Sequence, residues 1–166
     1  MFVKRITMIT NPNNLYKYPK FNIRNIIMED KIPFKILGES SHEEDFVKEN
    51  VLTSDNNEWK SKRGVGLPAW ISFDLLVESK IKNIMMRYLK NCSTCPKDMV
   101  IYGSSDENNF KEIARASRAR DSEWLDVKLD TTARYIKVEF LNNQNTTDNK
   151  LWSSYTYLYE VVFNKI

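Results

Sequence analysis

The sequence predicts an all-β domain, an antiparallel sandwich or barrel, and three observations predict it. Apolar and polar side chains alternate at period two in several segments. Those segments are short and closely spaced, each bounded by clusters of Asn, Asp, Ser or Pro. Only one stretch carries a helical signal, Glu43 to Val47, where Ser40 or Ser41 would cap a single turn. With 166 residues the chain is about one domain long, enough to bury a core without staples.

Taken in order, residues 1–32 form an N-terminal extension punctuated by Asn11-Pro12 and Tyr18-Pro19. Phe2, Ile6, Ile9, Leu15, Phe21 and Ile26 make it too apolar for a disordered tail, so it is expected to pack on the body. The sandwich is expected over residues 33–166. Phe34 and Ile36 begin it. Ala69 to Leu75 sets Ile71, Phe73 and Leu75 on one face against Trp70, Ser72 and Asp74 on the other. Ile81 to Leu89 and Met99 to Tyr102 follow, then a strand with Trp124, Val127 and Leu129. Tyr135 to Phe140 alternates cleanly, and Tyr157 to Phe163 closes the chain. Trp59 and Trp70 are expected in the core.

Composition removes several function classes. Hydrophobic residues at 42% and charged residues at 28% describe an ordinary soluble globular protein. No apolar run approaches the ~18 residues of a membrane-spanning helix. The N-terminus shows no signal-peptide pattern, which predicts a cytoplasmic location. The net charge is +3, and the basic excess sits in the extension: Lys4, Arg5, Lys17, Lys20, Arg24 and Lys31 stand against Glu29 and Asp30. The near-neutral body argues against a nucleic-acid surface. The extension interleaves Tyr16, Tyr18 and Phe21 with Lys17 and Lys20, a pattern that can bind single-stranded nucleic acid or anionic lipid but is read here as an arm packed on the sandwich with its lysines turned outward.

No enzyme is expected. His42 is the sole histidine, no Gly pattern surrounds Ser40 and Ser41, and no phosphate-cradling loop is present. Cys92 and Cys95 have the spacing of half a zinc knuckle, but no second pair completes it. They are read as reduced loop cysteines or an adventitious disulfide.

Five segments, in order, carry a resemblance. Glu49-Asn50-Val51-Leu52-Thr53-Ser54-Asp55 leads through Asn57 to Trp59. Trp70 to Leu75 is an aromatic strand ending in Asp-Leu. Pro96 to Asp106 ends in Gly-Ser-Ser-Asp. Ala133-Arg134-Tyr135-Ile136-Lys137-Val138 and Leu158-Tyr159-Glu160-Val161 complete the set. From about Lys35 to Asn164 the chain resembles the discoidin, or coagulation-factor type C, family with its galactose-binding-like fold. The resemblance implies an antiparallel jelly-roll β-sandwich of about eight strands, acting as a non-catalytic binding module for glycans, lipids or proteins. Family members that bind glycans often hold Ca²⁺ with an early-turn Asp-Gly and Thr and a last-strand Glu. Here the sequence departs from that pattern, with Thr53-Ser54 in place of Asp-Gly and Glu58 where Thr is common. Asp55 and Glu160 remain, and with backbone carbonyls near Thr53 and Glu58 could still supply such a cage, the alternative being that Asp55 and Asn56 cap the turn.

The resemblance also places a ligand site on loops at one end: Ser41 to Phe46, Lys60 to Pro68 and Lys90 to Lys97, approached by Asn142 to Tyr157. These offer His42, Lys60, Lys62, Arg63, Lys90, Asn143, Trp152 and Tyr155. A sugar site needs an aromatic face and directed donors. Trp152 or Tyr155 could stack, and Arg63, His42 or Asn143 could donate or accept. The expected ligand is a carbohydrate or a glycosylated partner. The alternative is an intracellular adaptor that uses the same fold for protein contacts.

Overall fold

The computed structural model describes residues 30–52, 57–145 and 152–166. Eight strands appear in chain order: β1 (Lys35–Glu39), β2 (Trp59–Lys60), β3 (Ala69–Arg87), β4 (Asp98–Ser104), β5 (Lys111–Ser117), β6 (Trp124–Phe140), β7 (Tyr157–Leu158) and β8 (Glu160–Lys165). All pairings are antiparallel.

Two of these strands are long because each serves two sheets. The first part of β3 lies between β1 and the end of β6, in register Ile71 to Val138 and Phe73 to Ile136. From there β6 passes to β4 and β4 to β5. The second part of β3 pairs with the beginning of β6 on one side and with β8 on the other, so that Ile84 lies opposite both Val127 and Phe163. Between the halves the register breaks after Asp74 and resumes at Ser79. The chain turns there through Leu76, which has a φ of 69°, and β6 turns at Asp130, with a φ of 42°. The segments read from sequence as four strands are therefore two strands bent at a common corner.

Bending the strands brings the apolar faces of the halves together. Ile71, Phe73, Ile136, Val138 and Phe140 from one sheet are buried with Ile84, Met86, Val161 and Phe163 from the other. Phe73 meets Phe163 edge-on at 5.3 Å between ring centroids, and Phe34 contacts both at 5.5 and 5.1 Å. Such edge-to-face contacts add about 0.5–1.5 kcal/mol each beyond burial of area. Trp59 is wholly buried against Phe140 at 5.9 Å. This is the antiparallel sandwich the alternation predicts, with the jelly-roll form the resemblance implies. Among the described residues no helix is long and apolar enough to cross a membrane.

Three expectations need correction. Trp70 is only half-buried and lies beside Gly38, where its Cη2 and Cζ3 are 3.5 Å from the position a Cβ would take. The helical turn is a 3-10 turn at Lys48–Leu52, later than predicted. The two serines expected to cap the earlier one are occupied elsewhere: Trp70 N–H donates to Ser40 Oγ (3.0 Å) and Lys62 N–H to Ser41 Oγ (3.2 Å). Strand β5 was not expected from the sequence at all. Of the extension, only Asp30, Lys31 and Ile32 are described. Ile32 N–H bonds the Phe163 carbonyl at 2.8 Å and Lys31 bridges to Asn164, both on β8. The rest of the arm lies outside the described residues.

The corner is held by one buried carboxylate. Asp74 is 1% exposed. Its Oδ1 accepts Leu76 N–H at 2.8 Å, which fixes the positive φ, and Arg134 Nε at 3.0 Å; its Oδ2 takes Arg134 Nη2 at 3.2 Å and Lys35 Nζ at 3.3 Å. Arg134 sits where one β6 residue spans the four-residue excursion of β3. The Arg134 guanidinium first, then the Leu76 N–H and Lys35, holds the Asp74 carboxyl down at about 2 despite burial. The stability this contributes is fully present above the ordinary Asp range and is lost as pH falls through it toward 2. Replacing Asp74 by Asn should cost about 2–3 kcal/mol, below the ~3–5 kcal/mol for breaking a fully buried pair because Arg134 is partly exposed. In urea melts the gap between wild type and Asp74→Asn should narrow as pH falls from 5 to 2. A gap independent of pH would show that the carboxylate charge does not hold the corner.

Candidate functional site

The loops at one end of the sandwich are tied together by backbone-directed bonds. Strand β2 pairs with β7, Trp59 opposite Leu158 and Lys60 opposite Tyr157. Beyond this short ladder, Ser61 N–H donates to the Thr156 carbonyl (3.0 Å) and Thr156 N–H returns a bond to Ser61 Oγ (3.0 Å). Gly64 N–H reaches Ser154 Oγ at 2.9 Å and Gly66 N–H the Ser154 carbonyl at 3.2 Å. Both glycines have positive φ, 82° and 101°, a region that costs glycine nothing and lets the 62–66 loop fold back onto Ser154. On the other side Glu43 N–H bonds the Lys60 carbonyl at 2.9 Å, and Arg63 N–H bonds Glu43 Oε2 at 2.9 Å. The 41–46, 60–68 and 152–157 segments therefore form one surface.

At its centre is Tyr155, with no exposed surface. Trp152 lies beside it, ring centroids 6.3 Å apart, and is 47% exposed. The Arg63 guanidinium carbon sits 5.1 Å from the Tyr155 ring centre and 6.0 Å from that of Trp152. On the other side the Lys60 ammonium is enclosed by the rings of Phe46, Tyr155 and Tyr157 at 4.7, 5.3 and 5.7 Å. Burying an ammonium is costly, and the negative faces of three rings offset part of that cost. Burial, then the neighbouring Tyr157 hydroxyl, pushes the Tyr155 phenol up to about 12, so it stays neutral at any physiological pH. Glu43 is shifted the opposite way, below the usual carboxylate range, chiefly by the Arg63 N–H and then by Lys60, Arg63 and Lys62.

The predicted site residues fall into four placements. Lys60, Lys62, Arg63, Trp152 and Tyr155 are brought together. Tyr155 is floor rather than platform, because a ring with no exposed surface offers no face to a ligand; Trp152 is the aromatic that faces outward. His42 lies on the neighbouring loop, its Nδ1 2.9 Å from Glu39 Oε1, while Trp59 Nε1 donates to the other oxygen of that carboxylate. Asn143 is buried, and its Nδ2 donates to the carbonyls of Trp152 and Tyr155, 2.8 Å each, while its Oδ1 accepts Asn145 N–H. It holds the Trp152 segment in place instead of facing a ligand. Lys90 turns to Glu123, at 3.7 Å, beside the 118–123 turn.

Cys92 and Cys95 are paired as a disulfide. Its loop packs beneath the same surface: Gln144 N–H bonds the Cys95 carbonyl at 2.9 Å and Pro96 bridges to Asn143. Of the candidate calcium ligands, Asp55 and Thr53 lie outside the described residues. Glu160 is held by Arg87 Nε at 3.1 Å and the Glu58 carbonyl by Asn50 Nδ2 at 2.9 Å. Among the described residues no group of three or more His, Cys, Asp or Glu side chains is placed to hold a metal ion. Phe46, Tyr157 and Glu43 complete the site and were not singled out from the sequence. The lysine–tyrosine ladder of two-residue strands that gathers them has no periodic signature.

Comparison with known proteins adds three findings. The model of the F5/8 type C domain family matches residues 37–155. No curated protein sequence matches the chain. Solved structures share the fold at low identity. One is CBM32-3 from a family 31 glycoside hydrolase of Clostridium perfringens, with TM-score 0.70, 19% identity, and coverage of 80% of this chain and 91% of that one. A second is the family 32 CBM of C. perfringens NanJ in complex with galactose, with TM-score 0.67, 15% identity, and coverage of 82% and 98%. A third is the CBM32 of AlyQ in complex with 4,5-unsaturated mannuronic acid, with TM-score 0.62, 18% identity, and coverage of 81% and 95%.

Asn143→Ala should leave the Trp152 and Tyr155 carbonyls without their donors and lower stability by about 2 kcal/mol. Amide exchange should quicken in residues 152–157 while β3 and β6 stay protected. Unchanged exchange there would remove Asn143 from this role.

Proposed function

The chain belongs to the F5/8 type C domain family, and from that premise we propose that it is a non-catalytic carbohydrate-binding module whose ligand rests on Trp152. The observation that carries the reading is the exposed Trp152 ring beside the Arg63 guanidinium, on loops locked together by backbone bonds. Sugar recognition needs a flat apolar face for the C–H surface of a pyranose and fixed donors beside it for oxygens. Trp152 supplies the face. Arg63 and Lys62 supply donors, and the floor beneath them is rigid. Rigid presentation matters because a loop that must order on binding gives back much of its contact energy.

Two structural neighbours were solved with sugars, NanJ's module with galactose and AlyQ's with an unsaturated mannuronic acid. They support a carbohydrate as the ligand class. One being neutral and the other acidic, they leave the charge of the sugar to the residues each chain presents. The described loops offer no pairing of nucleophile and base: His42, the sole histidine, is engaged with Glu39 on an exposed turn.

The test is a glycan array with wild type and Trp152→Ala. Binding by wild type to a defined set of glycans, reduced at least tenfold in the variant, is expected. Since Trp152 is half exposed, the variant should keep its melting temperature within a few degrees. An array silent for the wild-type chain would sink the reading.

A further inference from the structure

The cations at this end have a feature that the fold does not require. Lys90 and Lys48, on adjoining turns, each have a carboxylate within 4 Å. Among the described residues, Lys60, Lys62 and Arg63 have no such ion pair. The neighbouring Glu43 accepts the Arg63 backbone N–H, while the guanidinium itself lies against the aromatic rings. A guanidinium over rings uses its faces there and keeps its N–H edges for other partners. Three positive charges within four residues therefore stand without a paired carboxylate among the described residues, beside the ring that faces outward.

Resting on the carbohydrate reading of the same site, we propose that the module selects acidic sugars, with Arg63 the residue that takes the sugar carboxylate. A pyranose lying on Trp152 brings its ring substituents to the edge of the neighbouring guanidinium. A hydroxyl there would receive an ordinary hydrogen bond. A carboxylate can take two parallel N–H bonds, and charge-assisted pairs of this geometry are roughly twice as strong as neutral ones. Lys62, exposed and one residue away, adds field at the same place and a screening-sensitive attraction. Lys60 stays inside its ring cage and sets the local potential from below. A neutral sugar leaves this excess charge uncompensated, so discrimination follows from the protein's own residues rather than from added contacts.

The experiment measures binding of length-matched pairs, oligogalacturonate against neutral galactooligosaccharide and oligomannuronate against mannooligosaccharide, with polyglutamate as a non-sugar polyanion. Wild type, Arg63→Gln, Lys62→Gln and Lys128→Gln, a control on the other side of the corner, are compared at two salt concentrations. The expected result is at least about tenfold tighter binding of the acidic member (about 1.4 kcal/mol). That preference should collapse in Arg63→Gln, shrink in Lys62→Gln, persist in Lys128→Gln and weaken with salt. Equal binding of both members, or a preference kept in Arg63→Gln, overturns this selectivity and leaves the carbohydrate reading standing. Polyglutamate binding as tightly as the acidic sugars also overturns it, in favour of unspecific charge. Failure of every oligosaccharide overturns both. Unaltered melting temperatures in the variants keep loss of binding distinct from loss of fold.

Discussion

One continuous strand pairing, β3 against β6, has to serve two sheets at once, and the rest of the structure follows from how it turns the corner between them. A strand pair kept straight would leave the Phe73 and Phe163 faces apart. Turning it requires positive φ at Leu76 and Asp130, a conformation that costs a β-carbon-bearing residue about 1 kcal/mol or more. Asp74 offsets the cost at Leu76 by accepting that residue's N–H, and Arg134 and Lys35 make its own burial tolerable. The apolar gain on the far side is the larger quantity. Three edge-packed phenylalanines and the aliphatic layer around them repay a local strain of a few kcal/mol.

The corner also explains which parts were legible. Ile71-Phe73-Leu75 and Ile136-Val138-Phe140 keep strict alternation because each strand has one inward face there. Ser72 and Asp74 break the pattern: both are buried, one against Gly38 and one in the ion pair, which alternation alone assigns to solvent. Continuity of β3 and β6 through the corner could not be read, since positive φ at Leu and Asp carries no sequence mark comparable to glycine. Strand β5 was missed for a plain reason. Lys111-Glu112-Ile113-Ala114-Arg115-Ala116-Ser117 is an edge strand with charged and small side chains, as edges are where pairing must not spread.

Of the site, the convergence of loops and the grouping of Arg63 with Trp152 were legible through order and family resemblance. The roles of Tyr155 and Asn143 were not. Both residue types look equally suited to a ligand, and only burial distinguishes a floor from a contact. Tyr155 has its ring faces covered by cations, and Asn143 has its amide fully engaged by backbone groups. Amide side chains with three well-aligned backbone partners are structural elements in the same sense as a turn, and sequence has no marker for them.

This division of labour gives the loop end a particular freedom. The paths of the 60–68 and 152–157 segments are set by Ser61, Ser154, Asn143, Ser41 and Glu43, each bonded to backbone groups. None of those bonds involves the outward side chains of Lys62, Arg63 or Trp152. Arg63 shows the separation within a single residue, since its N–H anchors the loop on Glu43 while its guanidinium lies out over aromatic rings. An exposed cation–π contact is worth only about 0.5–1 kcal/mol, so exchanging the side chain costs the fold little. The outward side chains can therefore change at two or three positions without disturbing the bonds that shape the loops, which under the proposed carbohydrate reading is where ligand preference would be set. The bonds that shape these loops and the side chains that face outward from them are thus set by different residues.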